Sequence, residues 1–258
     1  MKKEKICAEI IHTELLAPEI HSMWIDVGQM ASGVRAGQFV TLYTGVGGDK
    51  LLPRPISICE IKQKEGWIRL VFRVVGAGTR EFANYRIGDR IHLLGPLGNG
   101  FVKREKEKLL IGGGIGIPPM LQLSKESSGK NKIVLGFRDQ NIFLDKDFEQ
   151  YGDVYIATED GSVGTKGNVL DAVRDNGLAE GTEVIYACGP VPMLRGIKSF
   201  GRETGIETWI SMEERMACGI GACLACVCRT NHIDEHTKVM NKRVCADGPV
   251  FLADEVEL

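Results

Sequence analysis

The first hundred residues alternate apolar and polar positions in short runs that are separated by glycine and proline. In the clearest run, residues 67–75, every second position from Ile68 to Val74 is apolar, while Arg69 and Arg73 fall on the opposite face. Successive strand residues point to opposite sides of a sheet, so this run predicts a strand with one face in a core. Strands are expected at 6–12, 20–27, 38–43, 55–61, 67–75 and 90–94. Together they predict a small antiparallel β-barrel over residues 1–101.

The pattern changes after the charged run 103–108, where strand, glycine turn and helix begin to alternate. Continuous apolar segments such as 133–135 are typical of strands that are covered on both faces. The order of strands and helices predicts a parallel α/β domain over residues 102–210. We interpret the charged run as a solvated connection and the cysteine-rich remainder, 211–258, as a small C-terminal segment.

Composition and charge narrow the class of protein. The chain has 258 residues, of which 43% are hydrophobic, enough to form proper cores. Its net charge of -2, with both signs interspersed, argues against nucleic acid or an anionic membrane as the main partner. No stretch approaches the roughly 18 apolar residues of a membrane span, and the N-terminus has no apolar signal core. We therefore expect a cytoplasmic protein whose eight cysteines are reduced.

Four of the cysteines, Cys218, Cys223, Cys226 and Cys245, form the spacing C-x4-C-x2-C followed by one distant cysteine. Plant-type ferredoxins bind a [2Fe-2S] cluster with four thiolates in this arrangement. Small residues between the first three cysteines let backbone N–H groups approach an anionic cluster. A structural zinc site and ordinary buried cysteines are alternatives, although zinc ribbons usually offer two short pairs. We interpret Cys228 as a residue that packs in the hydrophobic core. A thiol near the cluster and a displaced ligand are the alternatives.

Two motifs of the predicted barrel are suited to a flavin. Residues 54–57, with the sequence R-P-I-S, combine a fixed cation, a turn-forming proline and a hydroxyl at the start of a strand. Arg54 could neutralise a pyrophosphate, and the Ser57 hydroxyl could reach the flavin ring near N5, where hydride arrives. After the clearest strand, Gly78 and Thr79 could offer backbone and hydroxyl donors to a phosphate. For R-P-I-S alone, the alternative is a surface arginine beside a proline turn.

Two further turns are suited to a nucleotide. The turn after the strand 109–111 contains three consecutive glycines and leads into a helix, so phosphates could approach bare backbone at the helix N-terminus. A second turn, C-G-P, ends a later strand, and both turns should face one crevice because the carboxyl ends of parallel strands share an edge. The first turn is not the spaced Rossmann fingerprint, and packing alone could require it. The candidate residues are Gly112, Gly113, Gly114, Gly116, Cys188, Gly189 and Pro190.

Charge and chemistry at the remaining positions add two expectations. Glu159 and Asp160 end another strand, where carboxylates could bind ribose hydroxyls and would repel a 2'-phosphate, which favours NADH over NADPH. No catalytic side chain is assigned, because hydride transfer between nicotinamide and flavin needs alignment more than an acid or a base. The five histidines show no spacing that is typical of a catalytic pair or a metal site.

The order of these motifs resembles that of the ferredoxin reductase-like flavoproteins across nearly the whole chain. The C-terminal blocks 212–223 and 245–251 are similar, more narrowly, to those of the electron-transfer subunits of class 1B dihydroorotate dehydrogenases. That resemblance implies FAD and a [2Fe-2S] cluster in this chain, and NAD+ as the final acceptor. It also implies a catalytic partner subunit that holds FMN and oxidises dihydroorotate to orotate in pyrimidine biosynthesis, in a heterotetramer of two copies of each chain.

The resemblance has one departure, leaves two alternatives open, and assigns binding residues. Ala77 departs from the family, where a longer polar residue is common, and this puts one contact in doubt. A related NADH-dependent reductase of ferredoxin, a sulfur substrate or an oxygenase is one alternative, and a zinc-stabilised NAD-sensing module is another. By the resemblance, FAD would be bound by Arg54, Pro55, Ile56, Ser57, Val71, Phe72, Arg73, Gly78 and Thr79, and the cluster by Cys218, Cys223, Cys226 and Cys245.

Overall fold

The computed structural model describes residues 3–45, 50–128, 131–233 and 238–258. One of the five histidines, His236, lies outside these ranges. The described chain forms an antiparallel barrel, a mainly parallel sheet and a cysteine-rich segment, which confirms the predicted fold class. No helix in the described ranges combines the length and the apolar composition needed to cross a membrane.

Six antiparallel strands close the barrel in the order β1-β2-β5-β4-β3-β6. The strands are β1 (Glu4–Ala17), β2 (Ile20–Asp26), β3 (Phe39–Tyr43), β4 (Arg54–Lys62), β5 (Trp67–Arg73) and β6 (Arg90–Leu97). Ile68, Leu70 and Phe72 fill the barrel core, as the alternation predicts. The first strand is longer than expected, and a short helix, α1 (Ala77–Ala83), follows β5.

A seven-stranded sheet packs beside the barrel in the order β10-β9-β8-β7-β11-β12-β15. Its strands are β7 (Lys108–Gly113), β8 (Asn131–Phe137), β9 (Gly152–Thr158), β10 (Thr165–Lys166), β11 (Val184–Cys188), β12 (Glu207–Ser211) and β15 (Val250–Leu252). All neighbours are parallel except β15, which runs antiparallel to β12. The strand order reverses between β7 and β11, and ligands of such sheets bind at that point, beyond the carboxyl ends.

Helices cover both faces of this sheet, which explains why its strands are apolar throughout. The helices are α2 (Pro118–Glu126), α3 (Asp145–Glu149), α4 (Val169–Asp175) and α5 (Val191–Thr204). Leu109, Ile111 and Val134 share one core with residues of α4 and α5, whereas Leu110 and Ile133 share the other with residues of α2 and α3.

The cysteine-rich segment is continuous with the sheet. It leaves β12, forms a two-stranded sheet of β13 (Val227–Arg229) and β14 (Asn241–Arg243), and returns as β15. Cys226 and Cys245 belong to the hydrophobic core on the α4–α5 side of the large sheet. The segment is therefore built onto one end of the sheet and shares its core.

Arg69 joins the barrel to the sheet domain. Although it lies on the outer face of β5, it is only 8% exposed. Its Nε donates to Ser22 Oγ at 2.9 Å, its Nη1 lies 2.9 Å from Asp147 Oδ2 in α3, and Glu60 is 3.7 Å away. Lys125 of α2 reaches Glu60 as well, at 2.9 Å. A buried cation is stable only when anions surround it, so these contacts fix the two domains in one orientation.

The charged run 103–108 is more than a solvated connection. Arg104 and Lys106 lie 2.8 and 3.0 Å from the Glu207 carboxylate at the start of β12, and Trp209 Nε1 donates to the same group at 2.7 Å. Burial opposes ionisation of Glu207, but hydrogen bonds from Trp209, Arg104 and Lys106 outweigh it and lower the pKa to about 2. The run thus anchors the entry to β7 on β12.

Replacing Arg69 should weaken the whole fold. Arg69→Met leaves Glu60 and Asp147 without their shared cation, and we expect a loss of about 3 kcal/mol in the free energy of unfolding, measured by urea denaturation. Arg202→Met removes an exposed pair with Asp254 and should cost less than about 0.5 kcal/mol. Equal losses in the two variants would contradict the role assigned to Arg69.

The Glu207 contacts should make stability depend on acid pH. The folded-state pKa of about 2 lies below the ordinary value, so this carboxylate stabilises the fold above about pH 4.3 and ceases to do so as the pH falls towards 2. Glu207→Gln should therefore be less stable than the parent by about 1 kcal/mol at pH 7, because the group is partly exposed. The difference in unfolding midpoint should shrink steadily below pH 4 and should not grow.

Candidate functional site

The two predicted flavin motifs meet at one end of the barrel. Arg54 begins β4, and Gly78 lies in the first turn of α1. A Cβ atom on Gly78 would lie 2.2 Å from Arg54 Nε, so the guanidinium group packs directly over bare backbone. Arg54 also donates a hydrogen bond to the carbonyl of Leu52. A cation and an open backbone held in contact are suited to a phosphate group.

Thr79 shapes the turn that presents Gly78. Its hydroxyl accepts hydrogen bonds from the N–H groups of Val75 and Gly76 at 3.0 and 3.2 Å, and donates to the Gly76 carbonyl at 3.1 Å. These contacts satisfy backbone groups at the start of α1, as a capping residue does. The hydroxyl therefore acts inside the turn, which the sequence alone does not reveal.

The end of β5 divides its side chains between two environments. Phe72 faces the barrel core and meets Phe82 edge-on, with 6.1 Å between ring centroids. Val71 faces the core between the barrel and the sheet. Arg73 reaches the glycine turn, because a Cβ atom on Gly114 would lie 3.6 Å from its Nη2. Among the three, Arg73 carries the charge towards the nucleotide turns, whereas Phe72 can contribute only its backbone to a ligand.

The two predicted nucleotide turns form one crevice. A Cβ atom on Gly116 would lie 2.4 Å from the Cys188 carbonyl carbon, so the first turn packs against the end of β11. Cβ atoms on Gly113 and Gly189 would both collide with Met193, the first 2.4 Å from Sδ and the second 2.3 Å from Cε. Close packing therefore accounts for these glycines, and the same packing leaves bare backbone at the switch point of the sheet.

A carboxyl group that the sequence analysis missed lies where the barrel motif meets the crevice. Glu213 follows β12. Part of its surface is exposed, but the loss of water around the carboxyl group raises its pKa, and the positive charge of Arg73 opposes that rise. Burial raises the pKa of the Cys188 thiol, the charge of Glu213 adds to the rise, and a hydrogen bond with Ser211 opposes it. These residues meet because β11 and β12 are neighbours, a long-range fact with no signal in the local sequence.

Asp160 lies at the carboxyl edge of the sheet as expected, just after β9. Its Oδ1 accepts a hydrogen bond from the Ser162 N–H at 2.9 Å, and hydrogen bonds with Ser162 lower its pKa. Asp160 and the neighbouring Glu159 are exposed. An ionised, accessible carboxylate at this edge is consistent with recognition of ribose hydroxyls.

The first part of the cysteine segment wraps around a sulfur atom. The N–H groups of Ile220, Ala222 and Cys223 point at Cys218 Sγ from 3.5, 3.3 and 3.4 Å. Burial raises the Cys218 pKa, but these hydrogen bonds outweigh it and lower the pKa to about 6. The loop can turn this tightly because Gly219 adopts a left-handed conformation, with φ of 68°. Such an array of donors fits an anionic sulfur ligand.

The other two predicted ligands form a second pair. The Cys245 N–H donates to Cys226 Sγ at 3.4 Å, and both residues are buried. Burial raises the Cys245 pKa, and Cys226 and Cys218 add to the rise. Cys218 is therefore close enough to the Cys226–Cys245 pair to affect its ionisation. Cys228 points elsewhere, because its thiol donates to the Lys242 carbonyl at 3.4 Å and packs in the core. This placement agrees with the interpretation of Cys228 as a residue that packs in the hydrophobic core.

Arg243 connects the two parts of the cysteine segment. Its Nε and Nη2 each lie 3.0 Å from an oxygen of Asp247, which gives a bidentate ion pair. Its Nη1 donates a hydrogen bond to the Gly221 carbonyl at 3.2 Å. Gly221 has no room for a side chain, because its Cβ would lie 2.8 Å from that of Ala246. A cation thus holds the loop after Cys218 against the turn after Cys245.

The four predicted ligands are neighbours but not a closed set in this structure. Across the described ranges, no three side chains of His, Cys, Asp or Glu converge as metal ligands. Four thiols, three N–H donors at one sulfur and an adjacent arginine nevertheless match the chemistry of a cluster that carries negative charge. The donor set therefore fits a [2Fe-2S] group.

Comparisons with known proteins define the class. Residues 110–199 match the family of the oxidoreductase NAD-binding domain, and residues 213–257 match the iron-sulfur cluster binding domain of dihydroorotate dehydrogenase B. A solved NADH-dependent reduced ferredoxin-NADP oxidoreductase superposes with a TM-score of 0.86 at 30% identity, over 97% of this chain and 89% of that one. The fold and the site thus define a ferredoxin reductase-like oxidoreductase with an iron-sulfur segment.

The relatives narrow the class to one family. Proteins named dihydroorotate dehydrogenase B (NAD(+)), electron transfer subunit, are 45% identical in Listeria monocytogenes, over 97% of this chain and 98% of theirs. They are 44% identical in Fusobacterium nucleatum, over 86% of each chain, and 40% identical in a Geobacillus species, over 100% of each. The chain belongs to this family of electron transfer subunits.

Removing the Arg243 contacts should loosen the iron site. Arg243→Gln loses the paired contact with Asp247, and we expect the reconstituted protein to lose iron about tenfold faster to a chelator, as for other residues that support metal ligands. Arg229→Gln, on the exposed side of β13, is the matched control and should release iron at the parental rate. Identical iron release in the two variants would show that Arg243 does not support the site.

Proposed function

We propose that this chain carries electrons from the FMN of a catalytic dihydroorotate dehydrogenase subunit, through a [2Fe-2S] cluster and FAD, to NAD+. The observation that carries the proposal is the convergence of three sites where the barrel, the nucleotide crevice and the cysteine loop meet. Arg73 of the barrel reaches Gly114 of the nucleotide crevice, and Gly219 of the cysteine loop packs against Thr41 and Leu97 of the barrel. Pyrimidine biosynthesis is the pathway that this reaction serves.

FAD would be held by the barrel, in the unit 1–101. Arg54 over Gly78 would supply the charge and the open backbone for the pyrophosphate, and Pro55 and Ser57 on the outer face of β4 would contact the flavin. When bound, FAD exchanges single electrons with a cluster and a hydride with nicotinamide, so it matches the two kinds of transfer. The full set of proposed FAD residues is Arg54, Pro55, Ile56, Ser57, Val71, Phe72, Arg73, Gly78 and Thr79.

NAD+ would lie in the crevice of the unit 102–210. The bare backbone of the two turns admits the phosphates, and the exposed carboxylates of Glu159 and Asp160 favour NAD+ over its 2'-phosphorylated form. Both turns would present their residues to one ligand because the strands that precede them are neighbours. The proposed residues are Gly112, Gly113, Gly114, Gly116, Cys188, Gly189 and Pro190.

The cluster would lie in the segment 211–258, with Cys218, Cys223, Cys226 and Cys245 as ligands. Cys223 is exposed, and Ile220 and Leu224 beside it are 46% and 63% exposed. Exposed apolar side chains around a redox centre suit the docking of another protein. The name that the relatives carry, electron transfer subunit, supports a catalytic partner, and we propose two copies of each chain in the complex.

A second candidate function is reduction of ferredoxin or a related acceptor. The similarity to a ferredoxin-NADP oxidoreductase favours it, since that protein is 30% identical over nearly the whole chain. The iron-sulfur segment matches the dihydroorotate dehydrogenase B family specifically, which favours the first candidate. A zinc-stabilised NAD sensor ranks below both, because the family consists of electron carriers.

Anaerobic co-purification tests the function. We expect the tagged chain to bring down a partner that contains FMN, and the complex to convert dihydroorotate and NAD+ into orotate and NADH. The isolated chain should contain two irons per FAD, and NADH should bleach both chromophores. A partner without FMN, combined with rapid ferredoxin reduction, would replace the first candidate with the second, and a colourless zinc protein would exclude both.

Adding one methyl group to Gly78 should weaken FAD binding. Its Cβ would displace the flexible Arg54 side chain, so Gly78→Ala should fold but lose one charge-assisted hydrogen bond, worth about 1.5–3 kcal/mol. We expect FAD affinity, measured by titration of the FAD-free protein, to fall at least about tenfold.

Gly76→Ala is the matched control for this variant. Gly76 lies two residues earlier in extended backbone, with φ of -167°, and a Cβ atom there would meet nothing within 4 Å. We expect its FAD affinity to stay near the parental value. If both variants bind FAD equally well, the contact between Arg54 and Gly78 has no part in the FAD site.

A further inference from the structure

Thr41 carries an unpaired hydroxyl at the junction of the barrel and the cysteine segment. The residue is fully buried in β3, and its Oγ1 has no hydrogen-bond partner among the residues that the structure describes. Buried hydroxyls are almost always paired, because losing water without gaining another partner is unfavourable. The unpaired atom therefore points to a bound group as its partner.

The strand register shows which way this hydroxyl faces. Val40 and Leu42 on either side belong to the barrel core, so Thr41 faces outward. Phe39 shares its face and packs into the core that contains Cys226 and Cys245. The Thr41 side chain is therefore turned towards the cysteine segment rather than into the barrel.

Two motifs flank Thr41 on that outer face. A Cβ atom on Gly219 would lie 3.0 Å from Thr41 Cγ2 and 4.0 Å from Thr41 Oγ1, and Gly219 directly follows Cys218. On the neighbouring strand, Thr41 is paired with Pro55 of the R-P-I-S motif. The hydroxyl thus lies between the first cysteine ligand and the strand proposed to hold FAD.

We propose that the Thr41 hydroxyl donates a hydrogen bond to a sulfur atom at the Cys218 side of the [2Fe-2S] cluster and raises the reduction potential of that cluster. This inference rests on the proposed cluster site. A donor to sulfur stabilises the reduced cluster more than the oxidised one, because the reduced cluster carries more negative charge. Thr41 is accordingly a positioning and tuning residue, not a ligand.

Replacing Thr41 with valine tests the proposal, because valine keeps the shape and removes the hydroxyl. In anaerobic redox titrations of the FAD- and cluster-loaded protein, electron paramagnetic resonance reports the cluster and visible absorption reports the flavin. We expect Thr41→Val to lower the cluster potential by about 59 mV, a tenfold change for a one-electron couple, and to leave the flavin potential unchanged. Thr41→Ser restores the donor and should titrate close to the parent.

The remaining outcomes separate the inference from the function on which it depends. A shift confined to the flavin would assign the hydroxyl to FAD, and no shift at either centre would give it no redox role, so either result overturns the proposal. If Thr41→Val loses the cluster while Thr41→Ser keeps it, the hydroxyl acts on the cluster as proposed. A parent protein that binds FAD but no iron would reject the cluster site itself, whatever Thr41 does.

Discussion

The buried Arg69 guanidinium is the interaction on which the orientation of the barrel and the sheet depends. It gathers a hydroxyl from the barrel and a carboxylate from α3, so neither half can rotate without leaving a charge unpaired in a buried place. Fixed orientation matters because transfer between two bound cofactors requires alignment to within a fraction of an ångström. The contact of Arg73 with the Gly114 turn is useful only if that orientation holds.

Much of the fold follows from local sequence patterns. Alternation along 67–75 predicts the core residues of β5, and continuous apolar segments predict the strands of the parallel sheet, because both patterns report directly on which faces are buried. The burial of Arg69 could not be predicted in the same way. Its position on the outer face of β5 is a local property, whereas its ion pair with Asp147 of α3 depends on how the barrel and the sheet domain pack.

The candidate site likewise combines residues that local sequence predicts with residues whose roles depend on long-range contacts. The spacing of the cysteines predicts all four proposed ligands, since one short loop must supply three of them. Supporting residues such as Arg243, Glu213 and Thr41 carry no such spacing, and each acquires its role from a neighbour far away in the chain. Phe72 shows a different limit of sequence reasoning. The family resemblance assigns it to the FAD site, whereas its side chain packs in the barrel core.

The return of the chain as β15 determines how easily the cysteine segment becomes ordered. Because the segment leaves and re-enters at adjacent strands, its two ends are held together by the edge of the sheet. Tethered ends reduce the entropy that the loop must lose to become ordered. Because the same edge also carries β11 and the nucleotide crevice, the ends of the cysteine segment are held at a fixed place relative to that crevice.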